Sequence, residues 1–305
     1  MQKAVPAVER DTSSRATTLS AYINLMKPHV TVLLLGVTLA AMVVAQNGLP
    51  PLGVTLATLL GGALAAGSAN AINCYWDRDI DEVMSRTKSR TIPAGRVEPE
   101  RALTFGLVIG ALSVAIFAVW VNWASALLAL GAILFYVVVY TMWLKRTTAQ
   151  NIVIGGAAGA VPALIGWAAV APLRWNASLL TPLLMFTVIF LWTPPHFWAL
   201  SLVLKKDYAR AGVPMLPVVR GEAETYRQIF WYTLALVASS LLLVVSGGMG
   251  YLYLVCALAC GVGLAVFAVR LWRRKTLKSA RTLFWFSNYY LALMFAAMAL
   301  DHVIR

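Results

Sequence analysis

Long apolar segments alternate with short polar ones along this chain. Windows of about 20 apolar residues, the length with which an α-helix crosses a bilayer core, recur nine times. The predicted spans are Val30–Ala45, Val54–Trp76, Ala102–Val121, Ala124–Leu144, Asn151–Val170, Leu179–Leu204, Gln228–Ser246, Tyr251–Val269 and Leu283–Val303. The pattern therefore predicts an all-α, polytopic membrane protein with about nine transmembrane helices.

The first 25 residues differ from the rest. They mix charged residues with Ser and Thr and contain no long apolar segment. Such a composition cannot bury enough apolar surface to fold alone. We expect residues 1–25 to be a disordered cytoplasmic tail and residues 26–305 to form a single intramembrane domain.

Composition and charge support this membrane assignment. The chain is 60% hydrophobic and only 12% charged, which excludes an ordinary soluble domain. The N-terminal segment and the loops after the even-numbered spans hold 23 of the 25 Lys and Arg residues. By the positive-inside rule, the N-terminus and these loops are predicted to be cytoplasmic and the C-terminus to lie outside. The net charge of +13 then reflects topology and contact with anionic membrane lipid, and it argues against a nucleic-acid partner.

Three oxygen-bearing side chains recur at intervals of four residues where the second span ends. On a helix, Asn73, Asp77 and Asp81 share one face, whereas Asp79 is turned away. Acids at the border of a span are costly and tend to mark function, and Mg²⁺ is held by one or two carboxylates together with water and substrate phosphates. The spacing predicts a metal-bridged diphosphate site, and the simpler alternative is a helix end emerging into water.

Basic residues accompany this stripe. Arg78 lies within it, Arg86 and Arg90 follow it, and Lys27 precedes the first span on the same predicted side. Guanidinium and ammonium groups bind phosphate oxygens well. These four residues are candidate diphosphate ligands, although basic loops also arise from membrane topology alone.

A second polar segment follows the sixth span. Lys205, Lys206, Asp207 and Tyr208 precede a turn marked by glycine and proline. The single acid and the turn favour a loop with a defined conformation and a function. The alternative is a stretch of charged side chains exposed to solvent. This loop lies on the same predicted side as the first stripe.

Together the two segments resemble the UbiA superfamily of intramembrane prenyltransferases, from Asn24 to the C-terminus. The first segment is similar to the superfamily's first metal motif and its continuation, as Asn73-x-x-x-Asp77-x-x-x-Asp81 and Met84-Ser-Arg86-Thr-x-x-Arg90. The branch that farnesylates haem is matched by Leu191-Trp-Thr-Pro194-Pro195-His196-Phe-Trp198-Ala-Leu and Asp207-Tyr208-x-x-Ala-Gly212-Val-Pro214-Met-Leu-Pro217. Most members carry a second aspartate-rich motif, which is reduced here to Asp207 beside Lys205 and Lys206, so a lysine could take over contact with phosphate.

This resemblance implies a fold, a reaction and a set of residue roles. It implies helices around a central cavity in which the farnesyl group of farnesyl diphosphate is transferred to a vinyl group of haem B, with addition of water, to give haem O. We expect a bacterial inner membrane rather than a mitochondrial one, and a haem A synthase or an oxidase assembly factor as a further partner. The implied catalytic residues are Asn73, Asp77, Asp81, Lys206 and Asp207, of which the first three would bind Mg²⁺. The implied substrate contacts are Lys27, Arg78, Arg86, Arg90, Lys205, Tyr208, His196 and Trp198.

The predicted haem contacts are inferred from the double proline in the sixth span. Pro194 and Pro195 remove two amide donors, and we expect them to break the helix locally. Irregular backbone at membrane depth is tolerated where it lines a cavity, so His196 is a candidate axial ligand or propionate partner and Trp198 a candidate contact of the macrocycle or the isoprenoid. The alternatives are a packed histidine and a tryptophan of the core or interface.

Two other functions remain open from the sequence. An aromatic prenyltransferase of quinone synthesis would share the first motif, but it would carry a second aspartate-rich motif and lack Pro194-Pro195-His196-Phe197-Trp198. A transporter or haem-handling protein without chemistry would also use intramembrane carboxylates and broken helices. Such a transporter would move its substrate unchanged.

Overall fold

The computed structural model describes residues 14–174, 176–246 and 248–304, and these residues form helices and connecting turns without a β-strand. The α-helices are α1 (Ser14–Leu25), α2 (Pro28–Gln46), α3 (Leu52–Trp76), α4 (Arg78–Val83), α5 (Pro99–Trp120), α6 (Trp123–Leu134), α7 (Lys145–Thr147), α8 (Asn151–Val170), α9 (Leu180–Val203), α10 (Lys205–Arg210), α11 (Leu216–Val219), α12 (Gly221–Val245), α13 (Tyr251–Arg274) and α14 (Leu277–Ile304). A π-helix, Phe135–Leu144, joins α6 to α7, and a 3₁₀ turn, Ala177–Leu179, precedes α9.

Nine helical segments of the described chain are long and apolar enough to cross a membrane. They are α2, α3, α5, the continuous run Trp123–Thr147, α8, α9, α12, α13 and α14. This confirms the prediction of an all-α protein with nine spans. The largest difference in a boundary is at α12, which begins at Gly221 rather than Gln228. Glu222 and Glu224 in its first turn stabilise the positive end of the helix dipole.

Four helices form the centre of the bundle. Helices α2, α8, α9 and α14 contact one another in a closed cycle. Helices α3, α5 and α6 pack on the side of α2 and α8, whereas α12 and α13 pack on the side of α9 and α14. The first polar motif therefore ends a flanking helix, and the double proline lies in a central one.

Glycines allow α8 to approach its neighbours closely. A Cβ atom on Gly166 would lie 2.2 Å from the carbonyl oxygen of Thr38 in α2. A Cβ atom on Gly155 would lie 2.3 Å from the ring of Tyr140 in the π-helix. Both distances are shorter than atoms in van der Waals contact allow, so any larger residue at either position would push the helices apart.

The N-terminal segment corrects one prediction. Ser14–Leu25 forms α1, whereas we expected residues 1–25 to be disordered. Ala21 and Leu25 are buried in a small core with Ala71 and Ala102 of α3 and α5, and this tertiary burial stabilises a helix that composition alone does not predict. The rest of the predicted tail, residues 1–13, lies outside the described residues.

The double proline also differs from its prediction. Helix α9 continues through Pro194 and Pro195 without a break. Each proline removes one hydrogen bond to the carbonyl four residues earlier, but both are buried where α9 packs against α8, α12 and α14. Packing on several sides holds the helical path, as neighbouring helices do for prolines in other membrane spans.

Candidate functional site

Asn73, Asp77 and Asp81 lie on one continuous helical path. The amide of Asp77 donates to the carbonyl of Asn73 at 2.9 Å, and the amide of Asp81 donates to the carbonyl of Asp77 at 2.8 Å. The three residues are 3%, 0% and 1% exposed, respectively, whereas Asp79 is exposed. The helical spacing thus places one polar stripe inside the protein and turns Asp79 out, as predicted.

Two cations neutralise the buried carboxylates. The ammonium group of Lys145 donates to Oδ2 of Asp77. Nη1 of Arg90 donates to both carboxylate oxygens of Asp81, at 2.9 and 2.8 Å. Buried charges are tolerated only when they are paired and hydrogen-bonded in this way. The like-charge repulsion within the stripe is therefore relieved by protein cations.

A third cation binds the exposed acid. Nη1 and Nη2 of Arg146 donate to the two carboxylate oxygens of Asp79, each at 2.8 Å, and Nη2 also donates to the carbonyl of Trp76 at 3.0 Å. Nη2 lies 3.7 Å from Oδ1 of Asp77. The hydrogen bonds from Arg146 lower the pKa of Asp79 to about 2, so this carboxylate is ionised at neutral pH.

Asn73 connects the stripe to two other elements. Its Nδ2 donates to Oδ2 of Asp77 at 2.6 Å and to Oγ1 of Thr141 at 3.2 Å. Its Oδ1 accepts a hydrogen bond from Nζ of Lys27 at 3.1 Å. Lys27 has a left-handed backbone, with φ 51°, which costs a non-glycine residue about 1–2 kcal/mol. Burial lowers the pKa of the Lys27 ammonium group.

The π-helix supplies residues that we did not predict. In a π-helix, residue i bonds to residue i+5, and this winding places Thr141 and, about one turn later at the junction with α7, Lys145 on the face toward α3. Thr141 reaches Asn73 and Lys145 reaches Asp77 from this segment. In the sequence, Lys145 and Arg146 indicate only the topology of a short basic loop. The π-helix has no sequence signature that would have revealed its winding.

The second polar segment meets the loop that follows the first. Oγ of Ser85 donates to Oδ2 of Asp207. Asp207 is 6% exposed, and Nη2 of Arg210 lies 3.5 Å from its Oδ1. Both carboxylate oxygens therefore face partners from the protein, and Asp207 ties α10 to the chain just after α4.

Several predicted substrate contacts have other partners. Arg78 donates to the carbonyl of Tyr75 at 2.7 Å and lies over its ring, 4.6 Å from the centroid. Lys205 donates to Glu222 at 2.9 Å. Lys206 is exposed and makes no polar contact within the described parts of the chain. Of these three cations, only Lys206 is without a competing acceptor.

Three further residues that we predicted to contact the substrate differ in their exposure to solvent. Arg86 is exposed and its side chain makes no hydrogen bond among the described residues, which leaves it available to a ligand. Tyr208 is buried in the main core. Trp198 is 1% exposed and packs edge to face on Tyr232, with 5.4 Å between ring centroids. Trp198 is thus part of the core packing in this structure, and its contact with haem or isoprenoid stays a prediction.

His196 lies between two aromatic rings. Its ring stacks on Trp192 and on Phe284, with centroid distances of 4.2 and 4.6 Å. Nδ1 lies 2.8 Å from Oγ of Ser287. Nε1 of Trp192 donates to the carbonyl of the same serine at 2.6 Å. These contacts fix the ring between α9 and α14.

The donor set of the stripe fits a hard divalent cation. Oδ1 of Asp77 is buried and has no hydrogen-bond partner, and each carboxylate oxygen keeps lone pairs beyond those used by its cation. No group of three or more His, Cys, Asp or Glu side chains converges among the described residues. The stripe therefore offers an incomplete, oxygen-only set, which suits Mg²⁺ shared with a phosphate-bearing ligand.

Solved structures share this fold. A structure from work on digeranylgeranylglyceryl phosphate synthase in membranes matches with a TM-score of 0.78 and 17% identity, covering 94% of this chain and 99% of that one. A UbiA homolog from Archaeoglobus fulgidus bound to DMAPP and Mg²⁺ matches with a TM-score of 0.66 and 16% identity, covering 92% and 99%. These likenesses show that the nine-span bundle described above has the fold of those two proteins.

The chain belongs to the UbiA prenyltransferase family, whose sequence profile matches residues 34–297. A protein of Gloeobacter violaceus named protoheme IX farnesyltransferase is 52% identical over 298 residues, which cover 97% of this chain and 96% of that protein. A protein of the same name from Symbiobacterium thermophilum is 51% identical over 299 residues, covering 97% and 98%.

The pairing of Lys145 with Asp77 predicts a large effect on stability. Lys145→Ala leaves a buried carboxylate without its cation and should lower the free energy of unfolding by roughly 3 kcal/mol, measured by thermal unfolding in detergent. Lys205→Ala is the matched control, because its pair with Glu222 is partly exposed and should contribute about 1 kcal/mol or less. Adding Asp77→Asn to Lys145→Ala should recover part of the loss. Equal stability of Lys145→Ala and Lys205→Ala would contradict the assignment.

Proposed function

We propose that the protein transfers the farnesyl group of farnesyl diphosphate to a vinyl group of haem B, with addition of water, to give haem O and diphosphate. The most direct support comes from relatives named protoheme IX farnesyltransferase, which are about half identical to this protein over nearly the whole chain. The second segment has a single acid, whereas a prenyltransferase with a quinone-type aromatic acceptor would carry a second aspartate-rich motif. The buried carboxylate stripe is suited to chemistry on a diphosphate rather than to transport alone.

The charged end of the bundle binds the diphosphate. Lys27, Arg90 and Lys145 lie at the stripe, Arg86 is available beside it, and Lys206 is the lysine of the second segment without a competing acid. Asn73, Asp77 and Asp81 would hold Mg²⁺, which when bound supplies positive charge to the leaving diphosphate. Asp207 orients the loop that carries Arg86, because it holds Ser85, the preceding residue.

The reaction begins with heterolysis of the bond between the farnesyl carbon and the diphosphate oxygen. The electron pair goes to the diphosphate, and the cations of the site stabilise the charge that develops there. The allylic cation accepts the vinyl π electrons of haem B and forms a carbon–carbon bond. Water then adds to the resulting cation and loses a proton, which leaves the hydroxyethylfarnesyl group. The apolar helices exclude other water that would capture the farnesyl cation first.

The reaction can be tested with the purified protein. We expect incubation with haem B, farnesyl diphosphate and Mg²⁺ to give a haem O mass in extracted haem, and a chelator to abolish it. The control omits farnesyl diphosphate. Unchanged haem from a folded preparation that binds farnesyl diphosphate would reject haem as the acceptor and retain the prenyltransferase.

The carboxylates of the stripe should differ in their importance. Asp77→Asn and Asp81→Asn should each reduce turnover by at least about 100-fold, the scale for losing one group that stabilises transition-state charge. Asp79→Asn is the control and should retain near wild-type turnover, because its side chain is exposed. Melting temperatures verify that the variants fold. Near-normal turnover in Asp77→Asn would disprove the assigned metal site.

We also propose that the diphosphate site faces the cytoplasm. The basic loops surround the site, and the opposite loops contain almost no charge, which is the arrangement that the positive-inside rule predicts. In right-side-out spheroplasts, a membrane-impermeant maleimide should label Ser178→Cys at once, but Ser89→Cys only after lysis, because both positions are exposed on opposite faces. The reverse order would place the site outside. The unmodified chain, which retains its own three cysteines, gives the background.

A further inference from the structure

We propose that Nε2 of His196 binds the iron of the haem substrate, and that Ser287 is a positioning residue that holds the imidazole in the tautomer this requires. The proposal rests on the proposed function, since it takes haem as the acceptor. It assigns an axial ligand within the bundle, apart from the charged stripe, and it assigns a role to a serine of α14.

The orientation of the imidazole is set by packing on both faces. Trp192 and Phe284 stack on the ring with interplanar angles of 19° and 28°, and His196 is 6% exposed. Trp192 is itself fixed by its hydrogen bond to the carbonyl of Ser287. Rotation of the ring out of its plane would break these stacks, and a flip within the plane would break the hydrogen bond between Nδ1 and Ser287, so Nδ1 stays directed at Ser287 and Nε2 away from it.

The hydrogen bonds of Ser287 define the tautomer. Its hydroxyl donates to the carbonyl of Phe284 at 2.7 Å. A serine hydroxyl carries one proton, so its oxygen must accept from Nδ1 of His196, which lies 2.8 Å away. Nδ1 therefore carries the ring proton, and Nε2 presents a lone pair. The ring also makes a hydrogen bond to the backbone of Phe284, which requires a proton on the ring nitrogen that faces this carbonyl.

The lone pair of Nε2 can bind a metal ion but cannot hydrogen-bond to a carboxylate. A propionate needs a donor, and Nε2 of this tautomer is an acceptor. The hydrogen bonds and the ring contacts of His196 among the described residues come from Trp192, Phe197, Phe284 and Ser287, none of which is charged. A neutral imidazole whose other nitrogen donates to a fixed oxygen is the usual form of a haem or metal ligand.

The position along α9 suits a substrate that must meet the farnesyl group. His196 precedes the end of the helix at Val203 by two turns, or about 10 Å. Asp207, which lies just beyond that end, contacts the loop that follows the carboxylate stripe. A haem bound through His196 therefore lies in the half of the bundle that carries the diphosphate site, below the surface and among apolar side chains.

The test is a spectral titration of the full-length protein with ferric haem B. We expect the wild type to give the Soret band and electron paramagnetic resonance signal of histidine-ligated haem. His196→Ala should lose that signature, and added imidazole should restore it. Ser287→Ala should keep the signature at saturation, but its affinity for haem should fall by roughly 10-fold or more. Losses of this size are typical when the residue that hydrogen-bonds a metal-ligating histidine is removed. Ser287→Thr, which retains the hydroxyl, should bind like the wild type.

Controls separate this proposal from folding and from the proposed function. His302→Ala removes a histidine whose Nδ1 faces the carbonyl of Met298 and should leave the spectrum unchanged. Farnesyl diphosphate binding must persist in every variant, which shows that each is folded. A wild-type spectrum in His196→Ala, or full haem affinity in Ser287→Ala, would overturn the proposal even if the enzyme makes haem O. A histidine-ligated spectrum without conversion of haem would support the ligand and reject the proposed reaction.

Discussion

The structure depends on keeping the carboxylate of Asp77 fully buried where a membrane helix ends. A buried charge destabilises a protein by several kcal/mol unless it is paired and hydrogen-bonded. Lys145 and Asn73 meet this requirement from two different spans. The electrostatic requirement of one side chain thus fixes the ends of the second and fourth spans against each other, and the π-helix is the winding that brings Lys145 to the right face.

The same cations serve two states in the proposed reaction. Without a substrate, Lys145 and Arg90 neutralise the carboxylates of the stripe. A metal-bound diphosphate would add negative charge to the site, and in the proposed reaction the same cations would then pair with its phosphate oxygens. The site is therefore arranged before the substrate arrives, and little reorganisation of protein charge accompanies the breaking of the carbon–oxygen bond.

Helix α9 links the charged end of the bundle to its aromatic interior. It leads into α10, where Asp207 holds the loop after α4, and two turns earlier it carries His196. Because α9 remains helical through Pro194 and Pro195, the distance between these two positions is set by a continuous helix. Packing against three neighbouring helices, rather than local sequence preference, maintains that continuity.

The sequence by itself determined the nine spans, because apolar runs of sufficient length have few alternatives to a membrane helix. It also determined the shared face of Asn73, Asp77 and Asp81, since spacing by four fixes a helical face. Only the tertiary structure decided that Lys145 pairs with Asp77, that Trp198 packs in the core and that α1 is helical. Those outcomes depend on contacts between residues far apart in the chain, and a local pattern of hydrophobicity and charge does not encode which distant partner each residue meets.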